Sequence, residues 1–348
     1  SPEFGLTYKE VEKEFKIDKK IEMLLSSDTA IGITKSMGLA LISFAEAFGD
    51  LKPDMVVLLG DRYEIFSAAS AAMIARIPIA HLHGGETTEG AFDEAIRHAI
   101  TKMSHLHFTA AEDYRNRVIQ LGESPDRVYN VGGMGIENIK RLPLLNKVDF
   151  EEAINFKLAK KNLLVTFHPV TLESSTAKGQ FQNLLEALEE LQETLVILTK
   201  ANSDTDGRVI NQMIDNYVSN HPESSIAFTS MGQLRYLSAL QFMDAVVGNS
   251  SSGLLEAPSF KIATINIGDR QKGRLKANSV IDCEPTKQSI GQAIQSLYSE
   301  SFKAELDENT NPYGDGLAGK NIVEILKLVK PEQFLKKPFY DLGVTEIN

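Results

Sequence analysis

The chain has almost no sulfur chemistry to offer. Its 348 residues include one cysteine, Cys283. That excludes an internal disulfide and any zinc cluster built on thiolates, and it fits a reducing cytosol. No apolar run reaches the roughly 18 residues of a membrane span, and the start shows no signal-like pattern, so a soluble cytoplasmic protein is expected. Cations are in deficit: 36 Lys and Arg face 47 Asp and Glu, a net charge of −11. Such a surface draws neither nucleic acid nor an anionic membrane, although it leaves room for a local basic pocket that takes a small anion. Short internal repeats and low-complexity segments are also absent.

What is present alternates. DMVVLL (54–59) reads as a buried strand followed by a helix over 64–76. PIAHLH (78–83) precedes a helix over 92–103, LHFTA (106–110) a helix over 111–122, and RVYNVG (127–132) closes a first half. The irregular stretch 134–161 is the candidate linker. Strands then resume at 162–169, 194–199, 225–230, 244–253 and 262–268, with a late amphipathic helix at 319–329. Short strands alternating with helices predict parallel sheets covered on both faces. The expectation is two doubly wound α/β domains, 1–145 and 155–318, with 319–348 as a helix and tail packing back toward the first. Ligands in such folds bind beyond the carboxyl ends of strands. That singles out Gly60-Asp61-Arg62, His81 to Glu86, Gly132-Gly133, His168-Pro169 and Gly248 to Gly253.

Five of the seven histidines fall in HLHGGETTEGAFDEAIRHAITKMSHLH (81–107). His81 and His83 are spaced i, i+2 along a strand, and His105 and His107 repeat the spacing. Zinc would need three or four converging ligands, no i, i+4 histidine pair is present, and Gly84-Gly85 suggests close backbone approach instead. His105 and His107 read as buried or capping residues. In the helix after residue 91, Phe92, Ala95, Ile96, Ala99, Ile100 and Met103 form an apolar stripe, with Asp93, Glu94, Arg97, His98 and Thr101 opposite. That second face is either a solvated one laced with Asp93–Arg97 and Glu94–His98 pairs or a pair of carboxylates presented to a site.

GNSSSGLLEAP (248–258) places a tight turn between a strand and a helix. Backbone N–H groups and the helix dipole make this an anion site, or its serines are an N-cap cluster. It is neither a Walker loop nor GxGxxG. Glu256 is placed to accept hydrogen bonds from a ribose, and GDRQKGR (268–274) is either a phosphate loop or a surface loop. Asp61 is a helix N-cap or a catalytic acid, and His168 a structural residue or a phosphate or sugar ligand.

Taken together, LGDRYEIF, HLHGGE, FDEAIRHAITKMSHLH, VIQLGE, FHPVT, GNSSSGLLEAPS and INIGDRQKGR resemble the hydrolysing UDP-N-acetylglucosamine 2-epimerases of sialic acid biosynthesis, in family order from about residue 5 to residue 330. The resemblance implies two Rossmann-like domains of the glycosyltransferase-B type, with the substrate in the cleft between them. It implies anti elimination of UDP with loss of the C2 proton, then hydration of a 2-acetamidoglucal to release ManNAc. No metal or nicotinamide is implied, and the partners are a UDP-sugar and copies of the chain in a homodimer or homotetramer. Carried over, Ser250, Ser251, Ser252 and Gly253 would meet the phosphates, Glu256 the ribose, and Arg270 and His168 the diphosphate. Asp61, His83, Asp93 and Glu94 would surround the sugar, with Arg97 holding the carboxylates. Two departures stand out. His83 occupies a position where many relatives carry Glu. The family also opens with a β-α-β unit that precedes the counterpart of SPEFGLTYKE, so SPEF reads as native and the sheet would lack that unit. The same reaction on UDP-2,4-diacetamido-2,4,6-trideoxyglucose, or epimerisation with UDP retained, are the alternatives.

Overall fold

A computed structural model describes residues 6, 8–25, 29–87, 93–168, 177–201 and 207–343. Phe92, Pro169, Val170, Thr171 and the SPEF start lie outside the described residues. The chain divides into two compact units. One takes the described residues up to 86, then 93–130 and 324–343; the other takes 87 and 131–323.

In the first unit, α1 (Tyr8–Glu12), α2 (Ala30–Leu51), β1 (Val56–Leu59), α3 (Tyr63–Ile74), β2 (Ile79–Leu82), α4 (Asp93–Met103), β3 (Leu106–Thr109), α5 (Glu112–Gln120) and β4 (Val128–Asn130) follow in chain order. The sheet runs β1-β2-β3-β4, all parallel. β2 and β3 are buried along their whole length, as parallel strands covered on both faces should be. β1 departs from expectation. It is an edge strand, and Val57 and Leu59 stay 51% and 54% exposed, so the predicted buried strand is half open.

The sequence pattern gave no sign of α2. Thr29 caps it, its Oγ1 accepting the Gly32 N–H at 3.1 Å, and Lys52 ends it in the left-handed region at φ 46°. By length and composition alone it is apolar enough to cross a membrane, contrary to the expectation above, because Lys35, Glu46 and Asp50 interrupt the run without making the helix polar. Here it lies along α3. Phe44 and Phe48 pack against the Leu58, Ala69 and Ile79 core, and Ser67 donates to the Met37 carbonyl at 3.3 Å.

The C-terminal tail is fastened to this unit by buried charge. Lys337 Nζ donates to the carbonyls of Lys102 and Ser104, both at 2.7 Å, and to Glu123 at 3.0 Å. Glu123 is fully buried and also takes Lys102 at 2.6 Å and His107 at 2.9 Å. Burial alone would push its carboxyl up, but His107 and the two lysines outweigh that and bring it down to about 2.

The second unit opens with α6 (Met134–Arg141) and α7 (Lys147–Ile154). It continues through β5 (Lys161–Thr166), α8 (Ala177–Leu188), β6 (Thr194–Thr199), α9 (Gly207–Asn220), β7 (Ser225–Phe228), α10 (Gly232–Leu240) and β8 (Ala245–Gly248). Then come α11 (Ser252–Leu255), β9 (Ala263–Ile267), β10 (Val280–Cys283), α12 (Lys287–Leu297) and α13 (Glu300–Asp307); α14 (Ala318–Leu328) leads out of it. The stretch expected to be a linker is therefore not one. Phe150 and Ile154 of α7 sit in a core with Leu164, Leu195 and Ile197, and Ile139, Leu142 and Leu145 pack against it. The division between units falls after Asn130, earlier in the chain than the expected boundary at residue 145. Pro143 splits the stretch into two short helices, which hides the helical period.

The second sheet is all parallel in the order β10-β9-β8-β5-β6-β7. Counted within the unit this is the 3-2-1-4-5-6 order of dinucleotide-binding folds, with the reversal between β5 and β8. Gly248 makes that junction possible. Its φ is +135°, and a Cβ on it would lie 2.0 Å from the Thr166 carbonyl oxygen.

Candidate active site

In the first unit, polar groups gather after β1 and β2. His81 is fully buried; its Nε2–H donates to the Gly60 carbonyl at 2.9 Å, and the Thr101 hydroxyl lies 3.3 Å from Nδ1. Burial lowers its pKa to about 3, so it is a neutral strut that fixes the turn presenting Asp61. The next residue but one behaves differently. His83 has a left-handed backbone, φ 65°, while its N–H still continues the sheet to the Phe108 carbonyl at 2.8 Å. Gly85, at φ +80°, is pressed so closely on α5 that a Cβ would come within 2.3 Å of the Tyr114 carbonyl oxygen. The reversed chain returns Glu86 to His83, Oε1 to Nδ1 at 2.6 Å.

Arg97 is the centre of the cluster. It is 2% exposed, donates from Nη1 to the Glu86 carbonyl at 2.7 Å and to Glu94 at 2.8 Å, and from Nη2 to the Asp61 carboxylate. The polar face of α4 is therefore not a solvated face: Arg97 and Thr101 are buried, while Ala95 of the apolar stripe is exposed. The expected Glu94–His98 pair forms at 3.1 Å. Asp93 is half-buried beside Asp61, and burial followed by that neighbouring charge raises its pKa. A carboxyl held toward its neutral form next to one tied to an arginine is an arrangement that can both give and take a proton. His105 and His107 belong to other work: His105 Nδ1 accepts the Ile79 N–H at 3.2 Å, and His107 pairs with Glu123.

In the second unit, the polar groups lie at the β5/β8 reversal. Asn249, 1% exposed and given no role of its own in the sequence analysis, ties them together. Its side chain accepts the His168 N–H at 2.7 Å and donates to the His168 carbonyl at 2.8 Å. Its own carbonyl accepts Arg270 at 3.0 Å and Gln271 at 2.8 Å. The strand expected over 244–253 ends at Gly248, and α11 is only four residues long, so little helix dipole backs the serine turn. Within that turn Ser250 Oγ accepts the Ser252 N–H at 3.3 Å, and Ser252 Oγ accepts the Tyr236 hydroxyl at 2.7 Å. Ser251 is the residue before α11 and makes no side-chain cap bond.

Gly253 is buried, and a Cβ there would meet Thr264 Cγ2 at 2.5 Å, so close helix–strand packing explains the glycine. Glu256 ends α11. Its Oε2 is shut off from solvent with no hydrogen-bond partner among the described residues, and burial raises its pKa. A buried acceptor left open in this way suits a ligand hydroxyl. The signal for Asn249 was its place in GNSSSG; that it binds two loops at once is visible only in three dimensions.

The chain matches the family model described as UDP-N-acetylglucosamine 2-epimerase over residues 1–327. It is similar to the Campylobacter jejuni GDP/UDP-N,N'-diacetylbacillosamine 2-epimerase (hydrolyzing), at 48% identity over 98% of this chain and 89% of that one. It is also similar to the Escherichia coli polysialic acid biosynthesis protein P7, at 40% identity over 97% and 87%. Among solved structures, the Neisseria meningitidis UDP-GlcNAc 2-epimerase bound to UDP-GlcNAc matches with a TM-score of 0.79 at 21% identity, over 91% of this chain and 86% of that one. That last likeness is one of fold, two Rossmann-like units of the glycosyltransferase-B type.

Proposed function

The chain belongs to the UDP-N-acetylglucosamine 2-epimerase family, in its hydrolysing branch, and from that membership we propose that it converts UDP-GlcNAc to ManNAc and UDP. The observation that carries the reading is the Arg97 cluster, which holds Asp61 and Glu94 beside Asp93 and the His83–Glu86 pair. In the first step a base takes the C2 proton while the C1–O bond to UDP breaks, giving a 2-acetamidoglucal. In the second, water supplies hydroxyl to C1 and a proton reaches C2 from the other face. Both steps need positioned proton carriers, and Asp61, His83, Asp93 and Glu94 supply them, with Arg97 keeping the carboxylates in register.

In the second unit, Ser250 and Ser251 and the N–H groups of their turn take the phosphates. Arg270 and His168 offset the charge that develops as UDP departs. Glu256 accepts from the ribose through its open Oε2. Ser252 and Gly253 shape this loop through Tyr236 and Thr264.

A second reading keeps the chemistry and changes the sugar to UDP-2,4-diacetamido-2,4,6-trideoxyglucose. It is favoured by the 48% identity to a relative named for a diacetylbacillosamine substrate. Turnover of the two UDP-sugars side by side, with free UDP and the released sugar identified by mass spectrometry, decides between them. Release of UDP from neither would sink the enzymatic reading and leave a UDP-sugar binder.

A further inference from the structure

Glu86 was singled out from the sequence only as one of several polar residues after a strand, yet it has a more specific place. Its carboxylate lies 2.6 Å from His83 Nδ1, and the residue is only 7% exposed. A carboxylate can only accept, so the proton of a neutral His83 sits on Nδ1 and Nε2 carries the lone pair. Several independent features hold this geometry. His83 pays the strain of a left-handed backbone, Gly85 packs against the Tyr114 carbonyl, Arg117 donates to the Gly85 carbonyl, and Arg97 donates to the Glu86 carbonyl. Through Arg97 the pair is joined to Asp61 and Glu94. A surface ion pair needs no such construction.

We propose that Glu86 is a positioning residue for the reaction of this site: it locks His83 in the Nδ1–H tautomer and so makes Nε2 the nitrogen that exchanges a proton with the sugar. The inference rests on the hydrolysing epimerase reading. In the elimination, the C2–H electron pair becomes the C1=C2 bond, the C1–O pair leaves on UDP, and Nε2 takes the proton. The imidazolium so formed already donates Nδ1–H to the Glu86 carboxylate, and it returns its extra proton to solvent before the next cycle. This gives the imidazole an orienting partner of its own.

The test uses the full chain and Glu86→Gln, with long-range nitrogen NMR of the His83 ring and steady-state kinetics on both UDP-sugars. The wild-type ring should report a protonated Nδ1 and an unprotonated Nε2. Glu86→Gln, whose amide fits either way round, should let the Nε2–H form grow and lower kcat about 100-fold. KM should change less than about 3-fold, and UDP affinity and ellipticity should hold. Glu86→Asp keeps the charge with a shorter reach and should recover part of kcat. A wild-type ring protonated on Nε2, or a Glu86→Gln enzyme with kcat within about 3-fold of wild type, overturns the proposal. So does a loss of kcat accompanied by lost ellipticity with the tautomer unchanged, which would mark a structural role. Absence of turnover by the wild type on either sugar defeats the functional reading instead, and the ring spectra still report whether the pair is built as described.

Discussion

Lowering the pH from 7 to 5 should weaken the first unit from its core. His81 and His105 are both held neutral there, and for His105 the geometry requires it. Its Nδ1 accepts the Ile79 N–H, and an amide can only donate, so a proton on that nitrogen breaks the bond and strands a buried N–H. Burial, with Lys337 nearby, lowers the pKa of His105 from 6.5 to about 4, and burial takes His81 to about 3.

The unfolded chain takes up these protons near pH 6.5, whereas the folded chain resists them until about 4 and 3. The contribution to stability is therefore complete above 6.5 and lost as the pH falls through the window. Each histidine costs about 1.4 kcal/mol per pH unit there, so the pair has given up about 4 kcal/mol by pH 5. That is a large part of the roughly 5–15 kcal/mol that holds a domain together.

The assay is denaturant unfolding followed by circular dichroism at stepped pH, with hydrogen exchange over β2 and β3 identifying the transition of this unit. Asn in place of His105 sets an oxygen near the position of Nδ1 and does not titrate, so His105→Asn should flatten the slope by about 1.4 kcal/mol per pH unit. A wild-type unit equally stable at pH 7 and 5, or a variant with the slope unchanged, refutes the reasoning.

Other outcomes follow from single contacts. Arg97→Met leaves three groups around a buried position without their donor; unfolding should come about 3 kcal/mol sooner, somewhat less if water reaches the quarter-exposed Asp61 and Glu94, and turnover should be lost in whatever fraction stays folded. Gly248→Ala forces a Cβ onto the Thr166 carbonyl at a φ that disfavours it, so the second unit should lose about 3 kcal/mol or more, read as a lower thermal midpoint of its transition. Glu256→Gln removes the charge but keeps the shape, and calorimetry should show UDP binding weakened about 10-fold with the melting profile unchanged. Lys337→Met removes one of the partners of the buried Glu123 and should release the tail, seen as rapid hydrogen exchange at Tyr340, whose N–H otherwise donates to the Gly122 carbonyl at 2.9 Å.

Much of the fold was legible because buried parallel strands announce themselves. NLLVT and TLVILT are apolar along their length since both faces are covered, and both appear as strands. β10 escaped notice because VIDC is short and only partly buried, and α2 because its apolar residues spread around the helix instead of forming one stripe. The linker error has the same root: α6 and α7 are too short to show a period, and only packing against Leu164 and Ile197 reveals them as core.

Among the candidate site residues, position after a strand was enough to place Asp61, His83, His168 and the serine turn beyond β1, β2, β5 and β8, where they lie. Which residues hold them was not legible, except that the family resemblance put Arg97 on the carboxylates, as the structure has it. Arg97 reaches Asp61 across 36 residues, Asn249 reaches His168 across 81, and Lys337 reaches Glu123 across 214. Pairings at such separation leave no local pattern. Glu86 lies only three residues from His83, but its role depends on a left-handed histidine that sequence alone would not propose.

The most direct test is proton NMR of each UDP-sugar incubated with the protein in D2O. The account predicts free UDP together with a released 2-epimeric monosaccharide that carries deuterium at C2. A product still joined to UDP, or a released sugar that keeps its original proton at C2, would contradict it.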